Sequence, residues 1–364
     1  MDILEATAEF ERWLGQQLEV VRSDLALKHE NVAKAPFPFF RATFYRWVQR
    51  WPDICGDLAN APSVLAVGDL HIENFGTWRD AEGSLIWGVN DLDEVYPSAY
   101  SLDLVRLTAS AYLAMEEGHL AITRKEASDA LERGYREAIE AGGRPFALVE
   151  HHRWLRLLAF GKLRDPARFC KKIKELPQHL TKSSVKVQAM LEAALPQPGM
   201  KYELKKRIAR LGSLGHMRVL ALASWQGAYV VREAKALRPS AWVWARRRPT
   251  NTLYCGALAS RAVRVADPHV HFRDGWLVRR LAPDCSRIEL ASLPKERDEA
   301  RLLYSMGWEA ANLHLGSPSA VAKIRKDLAK RSAPWLHKAA KAMSEATLAD
   351  WEQWRRGWKR AKTR

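Results

Sequence analysis

A polar loop between two apolar runs carries the residues of this sequence that are best suited to chemistry. It reads GDLHIENF from Gly68, and a second acidic stretch, NDLDE, begins at Asn90. Phosphoryl transfer uses such a set, in which one aspartate takes a hydroxyl proton while an asparagine and a second aspartate hold the metal ions. Asp69 is therefore a candidate catalytic base. Asn74 and Asp91 are candidate ligands of Mg²⁺, which prefers hard oxygen donors.

The spacing within the loop agrees with this chemistry. Asp69 and Asn74 reproduce the D-L-x-x-x-N spacing of protein-kinase catalytic loops. The alternative is a polar turn in which these side chains only cap the backbone. Asp91, at the end of the next apolar run, favours the catalytic interpretation. His71 could help to order the loop by hydrogen bonds. Glu73 could be a ligand or, equally, a solvated surface group.

Two short strands are predicted to position the loop. Residues 63–67 (SVLAV) and 85–89 (LIWGV) are apolar runs bounded by turn residues, as buried strands are. Asp93 and Glu94 follow the second run. They could support the metal ligands or cap the next helix.

The rest of the chain predicts an α+β protein built from three parts. The expected elements are a helix at 2–28, an extended or turn-like segment at 35–41, helices at 102–115 and 123–141, a hairpin at 217–233, a helix at 254–266, a strand at 276–281 and helices from 296. Residues 195–199 (LPQPG) are the best candidate linker. We expect a large helical lobe with the catalytic-type loop at 1–195, a small β-rich lobe at 196–290, and helices at 291–364 that return to the large lobe.

Composition excludes several classes of protein and favours anionic ligands. The chain has 364 residues, of which 47% are hydrophobic and 27% charged, so it is not a disordered chain, a collagen or a disulfide miniprotein. Lys and Arg total 58 against 42 Asp and Glu, giving a formal net charge of +16. This excess attracts nucleotides, phosphorylated metabolites or acidic lipids. Nucleic acid is the least favoured partner, because no recognition motif for it is present.

The cysteines and the apolar runs indicate a cytoplasmic protein. The four cysteines are far apart and form no CxxC pair, so we expect reduced thiols rather than a structural zinc site. The N-terminal residues do not resemble a signal peptide. No apolar run approaches the roughly 18 residues that a membrane helix needs, so no membrane partner is expected. The sequence leaves the oligomeric state open.

Several motifs, in this order, resemble the bacterial domain-of-unknown-function 2252 family. They are FPFFRAT near residue 40, GDLHIENFG, NDLDE, SLDLVRL, LGSLGHMR (211–218), YVVREA (229–234), WLVRRLAPDCSRIEL (276–290) and MGWEAANLHLGS (306–317). GDLHxxN followed by a strand and a DxD-type turn also resembles the aminoglycoside and choline phosphotransferase branch of the protein-kinase-like superfamily. The resemblance implies a bilobal kinase-like fold that uses ATP and Mg²⁺.

The motif order implies a circular permutation of the kinase-like arrangement. A kinase has its Gly-rich hairpin and strand lysine before its catalytic loop. Here the candidate Gly-rich segment, 212–215, follows the loop at 68–74. Permutation is feasible because the termini of a domain usually lie at the surface and are often close together.

The resemblance assigns further roles along the chain. Three residues would let backbone amides approach the phosphates of ATP: Gly212, Ser213 and Gly215. Either Arg232 would neutralise the phosphates, or Lys235 would do so from a shifted register. Asp103 would tie the catalytic loop to the helix beneath it.

Three departures from the kinase-like pattern leave two functions open. Val67 replaces a histidine of the aminoglycoside-type motif, Arg210 replaces the first glycine of GxGxxG, and Arg232 replaces the strand lysine. Arginine binds phosphate in a different geometry from lysine. We expect a kinase-like phosphotransferase that uses Mg-ATP to phosphorylate a small-molecule hydroxyl. The alternative is a degenerate, pseudokinase-like protein that binds a nucleotide or another anion without turnover.

Overall fold

The computed structural model describes residues 1–148, 152–159, 165–179, 185–207, 215–285 and 298–362. Over these ranges the chain is α+β, as the sequence predicts. The α-helices are α1 (Ile3–Gln17), α2 (Arg22–Val32), α3 (Pro36–Ala42), α4 (Phe44–Ala59), α5 (Tyr100–Glu116), α6 (Arg124–Ala141), α7 (Arg153–Ala159), α8 (Pro166–Lys174), α9 (Val185–Ala193), α10 (Ala241–Ala245), α11 (Cys255–Arg261), α12 (Glu299–His314), α13 (Pro318–Lys330) and α14 (Trp335–Lys362).

The strands within the described ranges form three antiparallel sheets. The first pairs β1 (Ser63–Ala66) with β4 (Tyr96–Ala99). The second has the order β2 (Phe75–Arg79), β3 (Leu85–Val89) and β5 (Phe146–Ala147). The third has the order β6 (Tyr202–Lys206), β7 (Arg218–Trp225), β8 (Ala228–Ala236), β10 (Trp276–Leu281) and β9 (His271–Arg273). This five-stranded sheet falls inside the predicted small lobe, but the division of the chain into lobes stays a prediction.

The helical core is built around α5, which is buried at almost every position because other helices and β1 surround it. Beside it, α6 and α12 approach each other closely at two glycines. A Cβ on Gly134 would lie 2.0 Å from the carbonyl oxygen of Tyr304, and one on Gly307 would lie 2.0 Å from that of Leu131. Only glycine permits this backbone contact. α6 begins with a capping box, in which Thr123 is the N-cap.

Two predictions for the N-terminal residues are wrong. The single helix expected at 2–28 is two helices, because Val20 forms a β-bridge with His216 and interrupts the helical hydrogen bonding between α1 and α2. The segment expected to be extended or turn-like at 35–41 forms the helix α3. Its first proline occupies the start of the helix, where a missing N–H costs nothing.

Most of the other predicted elements are confirmed. The strands at 63–67 and 85–89 correspond to β1 and β3, and the hairpin corresponds to β7 and β8. The hairpin turns at Gln226 and Gly227, which both have positive φ, as tight hairpin turns require. The predicted loop between β1 and β3 contains β2, which pairs with β3. The helix expected at 254–266 is shorter, since α11 ends at Arg261.

The last helix packs across the N-terminal helices. α14 contacts α1, α3 and α4 as well as α5 and α6. Arg46 on α4 makes a two-pronged ion pair with Asp350 on α14, with N–O distances of 2.9 and 3.0 Å. The indole N–H of Trp351 donates to the carbonyl oxygen of Val32 at the end of α2. In the part of the chain that the structure describes, no helix is both long and apolar enough to cross a membrane.

Candidate active site

A cavity of about 410 Å³ lies between the polar loop at 68–74, the residues that follow β3, and the five-stranded sheet. Asp69, Asn74 and Asp91, the predicted catalytic base and metal ligands, all line it. The N-terminal helices and the segment after α11 complete the wall. The structure therefore brings three separately predicted residues to one place.

The loop is held from below by Asp103, as the resemblance implied. This fully buried carboxylate on α5 accepts the backbone N–H groups of Val67 at 2.6 Å and Gly68 at 2.8 Å. Nε2 of His314 lies 2.9 Å from the same carboxylate, and Nδ1 of His314 lies 2.8 Å from the hydroxyl of Tyr135. These bonds connect the loop to α5, α12 and α6, so its backbone is fixed by buried helices.

Asp69 is paired with a fully buried arginine. Nε of Arg106 donates to Oδ1 of Asp69 at 2.9 Å, and its guanidinium lies 4.0 Å from the ring centre of Phe40. Burial raises the pKa of Asp69 to about 7, although the attraction of Arg106 acts in the opposite direction. The described residues donate hydrogen bonds to Oδ1 only, which leaves Oδ2 able to take a proton.

Asn74 connects Asp69 to Asp91. It closes a short 3₁₀ turn, and its Nδ2 donates to the backbone carbonyl of Asp69 at 2.9 Å and to that of Asp91 at 3.3 Å. The amide nitrogen is thereby committed to the backbone, so Oδ1 is the atom that could meet a cation. The side chain of Asp91 is 48% exposed, as a ligand that must also meet substrate should be.

Lys235, at the end of β8, lies beside Asp91 and Asp93. Its side chain is 1% exposed, and its Nζ lies 3.5 Å from Oδ1 of Asp91 and closer still to the carboxylate of Asp93. Burial raises the pKa of Asp93, but the attraction of Lys235 outweighs it, so the pKa lies below its usual range. Asp93 is therefore the charge partner of Lys235.

Arg232 lies elsewhere. It is three positions from Lys235 on β8, so the two side chains point to opposite faces of the sheet. Nε of Arg232 donates to the carbonyl oxygen of Ala194, just after α9, at 2.6 Å. Of the two cations that the sequence left open, Lys235 is the one beside Asp91.

Of the three candidate phosphate-binding residues, Gly215 is the one that lies within the described ranges. Gly212 and Ser213 lie outside the described residues. Gly215 has a φ of 97°, and its carbonyl oxygen accepts the N–H of Val21 at 3.1 Å. The role of this segment stays a prediction.

An arginine cluster that the sequence analysis missed lies next to Lys235. Fully buried Glu233 accepts hydrogen bonds from Arg207 at 2.7 Å, from Arg218 at 3.2 Å and from Arg279 at 2.8 Å. Burial would raise the pKa of Glu233, but the three guanidiniums hold it well below its usual range. All three arginines line the cavity. Arg279 and Glu233 are direct cross-strand partners, and only the register of β8 and β10 shows this.

The opposite wall contains two more ion pairs. Arg41 donates to Oε2 of Glu73 at 2.6 Å, so Glu73 is not a solvated surface group. Arg238 pairs with buried Glu94, which also accepts the N–H of Ala241 at 2.7 Å. Neither pair could be read from the sequence, because the partners are 32 and 144 residues apart.

The donor set fits Mg²⁺ better than a metal that needs a full protein cage. Within the described ranges there is no group of three or more His, Cys, Asp or Glu side chains arranged to hold a metal ion. Mg²⁺ is usually held by one or two carboxylates together with substrate phosphates. Asp91 and Oδ1 of Asn74 are oxygen donors of this kind.

Replacement of Gly68 by alanine should destabilise the site. Gly68 has a φ of 81°, and a Cβ there would lie 2.6 Å from the carbonyl oxygen of Glu94 and 3.0 Å from Phe44. We expect Gly68→Ala to lower the free energy of unfolding by roughly 2–3 kcal/mol, measured by urea denaturation. Gly83→Ala is the matched control, because Gly83 has a φ of 80° but open space around it. Equal losses in the two variants would show that the contact with Glu94 is unimportant.

Comparison with known proteins gives one match. No curated protein and no solved structure matches the chain. The resemblance noted beyond residue 197 therefore stays a prediction. Residues 21–197, just under half of the chain and including Asp69, Asn74 and Asp91, match the model of the family described as "Uncharacterized protein conserved in bacteria (DUF2252)", and the chain is similar to that family over this range.

Proposed function

We propose that this protein is a kinase-like phosphotransferase that uses Mg-ATP to phosphorylate a hydroxyl group of a small molecule. The observation that carries the proposal is the meeting of Asp69, Asn74 and Asp91 at one cavity, with the buried Nζ of Lys235 3.5 Å from Oδ1 of Asp91. We further propose a permuted bilobal arrangement. It is supported by the five-stranded sheet, which follows the polar loop in sequence but lies across the cavity from it.

Asp69 would act as the base in the transfer step. The hydroxyl oxygen of the acceptor attacks the terminal phosphorus of ATP, and its proton passes to Oδ2 of Asp69. The bond from that phosphorus to the bridging oxygen breaks, and ADP leaves with the electron pair. A pKa of about 7 suits a base that works near neutral pH. Arg106 would keep the carboxylate in position.

The remaining polar groups would hold the nucleotide. Asp91 and Asn74 would be the protein ligands of Mg²⁺, which when bound neutralises charge on the phosphates. Lys235, kept in place by Asp93, lies where it could contact the same phosphates. The Glu233 cluster contains three guanidiniums and one carboxylate, so it carries surplus positive charge beside this point. Arginine forks match phosphate oxygens well.

A second candidate function is nucleotide or anion binding without turnover. One observation favours it: Lys235 is already engaged by Asp93 and Asp91. A lysine whose charge is balanced by two carboxylates gains less from contact with phosphate. This candidate shares the binding site with the first and differs in the absence of product.

The test compares wild type with Asp91→Ala in the presence of ATP, with and without Mg²⁺. We expect a magnesium-dependent rise in melting temperature and ADP formation with a pool of hydroxyl compounds. Loss of one charged ligand should weaken Mg-ATP binding by roughly ten- to hundred-fold. Asp53→Ala, which removes an exposed carboxylate on α4, is the matched control.

The outcomes separate the two candidates. A rise in melting temperature with Mg-ATP but no ADP formation would favour binding without turnover. A magnesium-dependent shift that survives Asp91→Ala unchanged would overturn the assigned metal ligands. If Mg-ATP does not raise the melting temperature of the wild-type protein, the phosphotransferase proposal is wrong.

A further inference from the structure

A buried lysine lines the cavity on the side of Asp69. Lys28 is 5% exposed and occupies the inward face of α2, one turn after buried Asp24 and one turn before buried Val32. Fully buried lysines are rare unless they are paired, because an ammonium group loses its hydration on burial. The buried face of α2 therefore contains two charged residues, Asp24 and Lys28, besides Val32.

Lys28 has neither a hydrogen bond nor an ion pair among the described residues. The carboxylates on this side of the cavity each have an arginine of their own: Asp69 has Arg106, Glu73 has Arg41 and Glu94 has Arg238. Burial lowers the pKa of Lys28. Glu11, which is paired with His29, attracts Lys28 more than Glu94 and Asp69 do, and Arg238 repels it, but none of the three carboxylates forms an ion pair with it. The lysine is therefore the cation of this wall that is left without a close counter-charge.

The wall beside Lys28 also contains aromatic and aliphatic side chains. Its Nζ lies 5.5 Å from the ring centre of Tyr45, and Phe10 and Leu14 line the same wall. Phe10 and Tyr45 are stacked, with ring centres 4.3 Å apart. This part of the cavity thus combines a flat aromatic surface with two cations, Lys28 and Arg238, of which Arg238 is already paired with Glu94.

We propose that Lys28 binds an anionic group, either a carboxylate or a phosphate, on the molecule that presents its hydroxyl to Asp69. An anionic oxygen placed against Nζ would supply the missing counter-charge, and the aromatic wall would contact the body of the ligand. An amine at the same point would face the lysine charge without hydration. This inference rests on the proposed function for its reaction, but the binding that it describes needs no turnover.

The test measures binding of four probes that share one body: benzyl alcohol, 4-(hydroxymethyl)benzylamine, 4-(hydroxymethyl)benzoate and 4-(hydroxymethyl)phenyl phosphate. Titration calorimetry without nucleotide gives the dissociation constants. We expect the two anions to bind at least ten-fold more tightly than the alcohol and the amine. Comparison of benzoate with phosphate identifies which anion the site takes. Lys28→Met should weaken anion binding roughly ten- to hundred-fold, and Lys28→Arg should retain part of it.

Controls make the result specific to this residue. Lys34→Met removes an exposed lysine just beyond α2 and should leave binding unchanged. A melting curve for each variant checks folding, and Lys28→Met should fold because it exchanges a buried charge for an apolar side chain of similar length. Equal binding of all four probes, or an anion preference that survives Lys28→Met, would overturn the inference.

Failure here and failure of the proposed function give different results. A magnesium-dependent ATP shift with no preference for anionic probes would refute the role of Lys28 alone. A preference for anionic probes that depends on Lys28, without any ATP shift, would support this subsite and refute the phosphotransferase.

Discussion

Asp69→Asn is expected to remove most of the phosphate transfer while leaving Mg-ATP binding nearly intact. The amide has the same shape but cannot take the hydroxyl proton. Loss of a general base should lower kcat by roughly 10²–10⁴-fold. A melting curve of the variant checks that it folds, and kcat is measured well below the melting temperature. A kcat within three-fold of wild type would remove Asp69 from the mechanism.

The pH dependence of the wild-type enzyme checks the same residue. The pKa of Asp69 is raised from 3.8 to about 7, so kcat/KM should fall as the pH drops below about 7 and Asp69 becomes protonated. Stability should change in the opposite sense. The folded state holds this proton more tightly than the unfolded chain does, so the contribution of Asp69 to stability decreases as the pH rises from about 4 to 7. If kcat/KM instead fell only near pH 4, the raised pKa of Asp69 would be contradicted.

Glu233→Gln should be the most destabilising single change among the charged residues of the sheet. It removes the one carboxylate among Arg207, Arg218 and Arg279, and all four side chains are wholly or largely buried. Removal of one member of a buried ion pair typically costs about 3–5 kcal/mol, because the remaining charge is uncompensated. We expect a loss in that range, measured by urea denaturation.

Glu203→Gln is the control for Glu233. Glu203 is 61% exposed on β6 and pairs at 2.8 Å with Lys205, whose side chain is 9% exposed. Because water solvates the exposed carboxylate, the pair should be worth about 1 kcal/mol or less, and salt screens it. Glu203→Gln should therefore lower the free energy of unfolding only slightly, and less still at high salt. The decrease caused by Glu233→Gln should persist at high salt. A small loss at Glu233 would show that the guanidiniums are stabilised by water rather than by the carboxylate.

Local sequence patterns were sufficient for the strands and helices nearest the polar loop. β1, β3, α5 and α6 could be predicted because each is a continuous apolar or periodic run, and α6 carries its own cap. Asp69, Asn74 and Asp91 could be placed together for a similar reason. Asp69 follows β1, Asn74 directly precedes β2 and Asp91 follows β3, so short-range spacing already constrains where they meet.

Other parts of the site depend on contacts between distant residues. The choice between Arg232 and Lys235 required the face of β8 that each occupies. The arginine cluster required the register of β8 against β10. The break between α1 and α2, which lets Lys28 turn inward, comes from the pairing of Val20 with His216, nearly 200 residues later. Periodicity within a short window contains none of this information.

The ion pair between Arg46 and Asp350 has a consequence for the order in which the protein is made. Ribosomes release residue 46 long before residue 350, so α4 leaves the exit tunnel without the partner of its buried arginine. The end of α2 likewise lacks its hydrogen bond from Trp351 until α14 has been synthesised. The wall of the cavity that carries Lys28 should therefore assemble late during synthesis, and a chain stalled before α14 should be recognised by chaperones through its uncovered N-terminal helices.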